Sequence, residues 1–155
     1  MEPQVAVVKN GDAYSLIKRA LKMIDVQKRI RPESKVLIKP NFVRVPSTAP
    51  YTYAEGAYER TYSLEGDVVH REAVEGLLMF LSEMKIKKIS IGEAAGGCET
   101  PIVYKSLDLY ELADRYGAEL LDLNYAESEK IAVPDGFVLK SVWVPKVILE
   151  SDFLI

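Results

Sequence analysis

One short run restricts the possible folds more than any other stretch. Val36-Leu37-Ile38 is apolar on both faces, as a strand is when it lies inside a parallel sheet covered on both sides. The segments around it alternate strand and helix grammar. Gln4 to Lys9 is a β-branched run that reads as a strand, and Asn10-Gly11-Asp12 punctuates it. Asp12 can cap the helix that follows, in which Leu16, Ile17, Ala20, Leu21 and Ile24 recur at helical spacing. The basic stretch Lys28 to Arg31 closes that helix, and Pro32 prevents its continuation. A second helix spans about Val68 to Lys85, and Lys88 to Gly92 is a third strand. Thr100-Pro101 reads as an N-cap with proline at the first helical position. That helix turns Leu109, Leu112, Ala113 and Tyr116 inward and stops at Gly117; Glu119 to Leu123 is a fourth strand.

This alternation implies an α/β fold: a mostly parallel sheet with helices on both faces, in three layers. The grammar then changes. Glu129 to Val133 and Val138 to Val144 flank Pro134-Asp135-Gly136, the signature of an appended antiparallel β-hairpin. Pro145 to Glu150 reads as one helical turn, and Asp152 to Ile155 as a buried strand. The expectation is a single α/β domain over residues 1–155. Because domains seldom stop on an apolar strand, it is also expected to be the N-terminal part of a longer one. Residues 40–66 lack periodicity, and roughly 27 residues far exceed an ordinary connector, so they read as a long loop or lid.

Composition removes several functions. A net charge of −3 lacks the footprint of a nucleic-acid binder, so no nucleic-acid partner is expected. There is no run of roughly 18 apolar residues, and hence no membrane-spanning segment. Met1 to Asp12 lacks a secretory pattern, and the expected location is cytoplasmic. With Cys98 the only cysteine, the segment cannot hold a disulfide, a cysteine-built zinc site or a cysteine-ligated iron–sulfur cluster. Few Asn and Gln beside many Lys and Glu is a bias common in proteins from hot environments.

Chemistry should sit where ligands meet open parallel sheets, beyond the carboxyl ends of the strands. Two loops leaving such ends carry unusual residues: Lys39-Pro40-Asn41, and Glu93 through Thr100 with Gly96-Gly97 between. Lys39 can anchor a negative charge or pair with Glu93, and Asn41 offers a donor and an acceptor. Glu93 is the candidate acid/base or metal ligand, and Gly96, Gly97 and Thr100 are candidate ligand-binding residues, the glycines through backbone N–H groups. His70, at the start of the second helix, completes the set, although a lone histidine there is more often a cap or a surface residue. Cys98 is a weak nucleophile candidate. Tyr51, Tyr53, Tyr58 and Tyr62 on the long loop suit an interface, a flap, or packing onto the domain itself.

These stretches are similar to a known family. Val36 to Val43 (VLIKPNFV), His70 to Leu81, Lys87 to Thr100 (KKISIGEAAGGCET), Leu109 to Leu123 and the ending ESDFLI resemble the domain of unknown function family 362. The resemblance implies an α/β fold, and longer members often carry ferredoxin-type iron–sulfur modules. It also implies a pattern continuing beyond Ile155. The family's K-P-N element falls on Lys39, Pro40 and Asn41, and its G-[DE]-x-x-G-G element on Gly92, Glu93, Gly96 and Gly97. The usual His-Pro start of the second helix is matched at His70 but departs at Arg71.

Three functions follow as expectations. The first is the binding half of an enzyme, holding a small anionic or hydroxylated ligand or an unidentified cofactor at the strand ends. The second is a redox-associated module supporting an iron–sulfur domain encoded outside this segment. The third is a non-catalytic interaction domain that uses the tyrosine-bearing loop. Besides a small molecule, a homo-oligomer or a downstream domain are the partners left open.

Overall fold

The structure, a computed structural model, describes residues 4–44 and 68–155. Six helices and six strands are assigned there. In chain order they are α1 (Ala13–Met23), α2 (Val26–Arg29), β1 (Lys35–Ile38), α3 (Arg71–Glu83), β2 (Lys88–Glu93), α4 (Thr100–Ser106), α5 (Leu109–Tyr116), β3 (Glu119–Asp122), β4 (Ser128–Ala132), β5 (Ser141–Pro145), α6 (Lys146–Leu149) and β6 (Phe153–Leu154). Four strands form a parallel sheet in the order β3-β2-β1-β6, while β4 and β5 pair antiparallel as a separate hairpin. The α/β class, the parallel sheet and the appended hairpin therefore stand as the sequence implies.

The core lies on one face of that sheet. Val36 and Ile38 of β1 and Ile89 and Ile91 of β2 share it with Val74, Leu77, Leu78 and Leu81 of α3 and Leu109 and Leu112 of α5. Leu37 points to the other face and is also fully buried. There it meets Leu123, which folds beside Gly92; a Cβ on that glycine would lie 3.0 Å from Leu123 and 3.1 Å from Leu37. Both faces of β1 are thus dry, which is why its three central residues are apolar without alternation.

Helix α1 docks outside α3. The Asp12 side chain caps it by accepting the Ser15 backbone N–H at 2.9 Å. None of its residues is fully buried, and Ile17 and Leu21 pack against the core from outside. Close approach is possible because Gly76 of α3 faces the α1 backbone. A Cβ there would sit 2.9 Å from Tyr14 Cα.

Five local expectations need correction. The first helix, expected to run on to the Lys28–Arg31 stretch, breaks at left-handed Asp25 (φ 57°) into α1 and α2. Gln4 to Lys9 forms no strand, and Val5 and Val7 are exposed. Strand propensity in a β-branched run is realised only when it pairs with a neighbour, and here β6, not this run, lies beside β1. The single helix expected after Thr100 is two helices. Asp108 adopts a left-handed conformation (φ 51°) that breaks the chain before α5. The N-cap of α4 is Glu99, not Thr100, which is its first helical residue. Finally, β6 is an edge strand whose Leu154 is exposed, rather than a buried one. The stop at Gly117, with φ 64°, falls where expected. Of the long loop, residues 45–66 and their four tyrosines lie outside the described residues.

Candidate functional site

The carboxyl ends of β1, β2 and β3 lie side by side, and each carries polar residues. Lys39 directly follows β1, β2 ends in Glu93, and β3 ends in Asp122, which stands in register with Glu93. Strand order also reverses at β1. The chain runs outward from β1 through β2 to β3, then returns to place β6 on the opposite side of β1. The Lys39 N–H donates to the Ile155 carbonyl at 2.8 Å, so Lys39 sits where that reversal occurs. Such a reversal opens the crevice in which doubly wound sheets hold their ligands.

Lys39 and Glu93 are brought together. Lys39 Nζ lies 2.6 Å from Glu93 Oε1 and donates to the Pro40 carbonyl at 2.7 Å. The Lys39 side chain keeps 38% of its surface exposed, against 4% for Glu93. Both Glu93 oxygens are occupied: Oε1 also accepts the Ala94 N–H at 2.7 Å, and Oε2 accepts the Phe42 N–H at 2.5 Å. Phe42 is fully buried. Phe42 and Glu93 together pin the turn after β1 to the end of β2, and Glu93 fixes the position of the Lys39 ammonium.

Asn41 is tied through the backbone to the segment just before His70. The Asn41 carbonyl accepts the Val69 N–H at 3.0 Å, and Phe42 forms an antiparallel bridge with Val68. His70 caps α3 without a side-chain hydrogen bond and is exposed. Gly96 and Gly97 sit in the loop after β2, and both of their N–H groups donate to the Val43 carbonyl, at 3.1 and 3.0 Å. A Cβ on Gly97 would lie 3.0 Å from Arg44 Cβ, so glycine permits this close approach. In this conformation the glycine amides serve the chain's own loop.

Thr100 is fully buried and knits the rim together. Its hydroxyl accepts the Ala95 N–H at 3.1 Å and donates to Asp122 Oδ1 at 3.0 Å. Asp122 Oδ1 also accepts the Asn124 N–H at 3.0 Å, and Asn124 Nδ2 reaches back to the Ala95 carbonyl at 3.2 Å. Below them, buried Tyr104 donates from its phenol to the Leu121 carbonyl at 2.7 Å. Burial raises the Tyr104 pKa well above the ordinary phenol value. Thr100→Val should lower stability by about 1–3 kcal/mol, because it orphans a buried N–H as well as removing a bond. Urea unfolding checks this: the midpoint should fall at constant m-value, and Thr100→Ser should restore most of it.

An open crevice of about 700 Å³ lies between the Ala95–Glu99 loop and Asp122, Asn124 and Tyr125. Gly96, Gly97 and Cys98 line it, whereas Lys39, Asn41 and His70 are not part of its wall. Among the described residues no group of three or more His, Cys, Asp and Glu is placed to hold a metal ion. None of the helices there is long and apolar enough to cross a membrane.

The family model Domain of unknown function (DUF362) matches residues 36–155. The chain belongs to this family. No curated protein and no solved structure matches it. In this DUF362 domain the match begins at β1 and takes in all three strand ends described above. Asp122 and Asn124, which frame the crevice, are the rim residues that motif reading passes over. Their signal is positional: Asp122 ends a strand just as Glu93 does.

Proposed function

We propose that this DUF362 domain holds a small hydroxylated or anionic ligand along the carboxyl-end rim of its sheet, as the binding half of an enzyme. The observation that carries this reading is the placement of Lys39 at the reversal of strand order. An ammonium has three N–H donors, and among the described residues two acceptors, Pro40 O and Glu93, engage Lys39 Nζ. One donor is left for a ligand carboxylate or phosphate. Glu93 acts as the positioning residue for that ammonium.

The crevice beside β3 supplies the complementary half. Thr100 and the Asn124 N–H use Oδ1 of Asp122, leaving the second carboxylate oxygen for ligand hydroxyls, with Glu99 and the Asn124 amide beside it. Neighbouring parallel strands lie about 4.8 Å apart, so β1 and β3 are separated by roughly 10 Å. A ligand with about four to six heavy atoms along its main chain, anionic at one end and hydroxylated at the other, fits that span. Glycerate and glycerol 3-phosphate are suitable probes, with neutral glycerol as control.

Thermal unfolding tests the reading. At a probe concentration near 100 Kd the domain should gain about 2.7 kcal/mol, a rise of roughly 5–10 °C for a chain of this size. Lys39→Ala, compared with its own ligand-free melting point, should lose most of that gain for the anionic probes. The reading fails if no probe stabilises the protein, or if Lys39→Ala responds as the wild type does.

A further inference from the structure

The β4–β5 hairpin stands apart from the core. No residue from Ser128 to Pro145 is fully buried, and a two-stranded ribbon alone in water is only marginally stable. Its ladder shows which edges are open. Val133 N–H donates to Lys140 at 2.9 Å, and Lys146 N–H donates to Glu127 at 2.8 Å. Bonded and non-bonded pairs alternate in an antiparallel ribbon, so Ser128, Lys130 and Ala132 turn their N–H and C=O groups away from β5. Among the described residues β4 has no second strand partner. The outer edge of β5 is interrupted by Pro145, which has no N–H to offer, whereas no proline stands within β4.

We infer that two copies of this chain pair through the outer edges of β4, forming a four-stranded antiparallel sheet about a two-fold axis at Ile131. Charge excludes two alternative registers, and an axis at Ala132 would set the outward backbone of Lys130 opposite Pro134, which has no N–H. An axis at Glu129 or at Lys130 would set like charges directly opposite each other, which is destabilising. An axis at Ile131 sets Lys130 opposite Ala132 of the second copy, with both residues presenting free backbone groups. It also carries the hairpin tip, with Phe137 fully exposed, toward Tyr125 of the second copy, itself 83% exposed. Those two rings offer roughly 350 Å² per copy, a large share of the roughly 800 Å² per partner found in stable interfaces. The contact is isologous, as a closed dimer requires.

Sedimentation equilibrium at tens of micromolar should give twice the 17.4 kDa chain mass. Ala132→Pro removes an outward N–H without touching the β4–β5 ladder, and Phe137→Asp alters only an exposed tip. Each should weaken dimerisation at least tenfold while leaving far-UV circular dichroism unchanged. Should Ala132→Pro disturb the hairpin, Phe137→Asp decides alone, since its side chain supports no part of the fold. A monomeric wild type at 100 µM, or a dimer indifferent to Phe137→Asp, overturns the proposal.

Discussion

Glu93→Ala is expected to lower stability by about 3 kcal/mol, a fall of roughly 6–12 °C in melting temperature for a chain of this length. The carboxylate is nearly inaccessible and holds two backbone N–H groups and one ammonium. Removing one member of a buried ion pair commonly costs 3–5 kcal/mol. Here the lysine can regain water through its exposed surface, which cuts that contribution. The orphaned N–H of buried Phe42 supplies most of the remainder, at about 1–3 kcal/mol when fully dry, and that of exposed Ala94 adds less because water can replace its partner. Glu93→Gln should fall between wild type and alanine, because it keeps one acceptor but turns an NH₂ group toward a donor. Differential scanning calorimetry measures both variants. An alanine variant that melts within 2 °C of wild type would remove Glu93 from its role as the pin of the rim.

Gly76→Val should detach α1. Glycine in the middle of a helix normally costs about 1 kcal/mol relative to alanine, and this one is retained at the point where α3 meets the α1 backbone. A Cβ would stand 2.9 Å from Tyr14 Cα and 3.0 Å from Tyr14 N. Backbone atoms cannot rotate away as a side-chain tip can, so the helices must separate. Overpacking of this kind costs about 1–3 kcal/mol with a single methyl, and valine adds two more carbons. Because no residue of α1 is fully buried, the helix peels away before the core fails. Separation would also break the Lys18–Glu83 ion pair at 2.8 Å and the Tyr14–Glu83 hydrogen bond. Hydrogen exchange should show α1 amides losing protection while β1 and β2 keep theirs. Unchanged protection in α1 would show that the two helices tolerate a wider spacing.

The architecture was legible in the sequence wherever periodicity and burial agree. Val36-Leu37-Ile38 announces a central strand because nothing polar is tolerated on either face. Asp12 and Gly117 mark their helix ends through local chemistry that needs no tertiary partner: one side chain accepts a nearby N–H, and one residue adopts a left-handed turn. Reading failed where the outcome depends on distant partners. Val5 and Val7 have strand propensity but pair with no strand, and the edge of β1 is taken by β6, more than a hundred residues later in the chain. Asp108 breaks the helix after Thr100 by a left-handed residue that is not glycine, a choice with no strong composition signal.

The rim followed the same division. The Lys39–Glu93 contact could be read as neighbouring strand ends, since both loops leave the same edge of a parallel sheet. The fate of the Gly96 and Gly97 amides could not, because their acceptor, the Val43 carbonyl, belongs to a different loop. Thr100 looks like a cap in one dimension and becomes a buried bridge only when β3 brings Asp122 to it.

On the proposed function, a ligand meets this domain at the carboxyl ends of its strands. Another crevice among the described residues, of about 400 Å³, lies at the amino ends and is lined by Lys35, Lys88, Glu119 and Glu150. Backbone amide shifts in a ¹⁵N-labelled sample titrated with glycerol 3-phosphate separate the two. Saturable shifts at Lys39, Gly96, Gly97 and Asn124, with Lys35 and Lys88 unmoved, are the expected result. Shifts confined to Lys35, Lys88 and Glu119 would contradict the account.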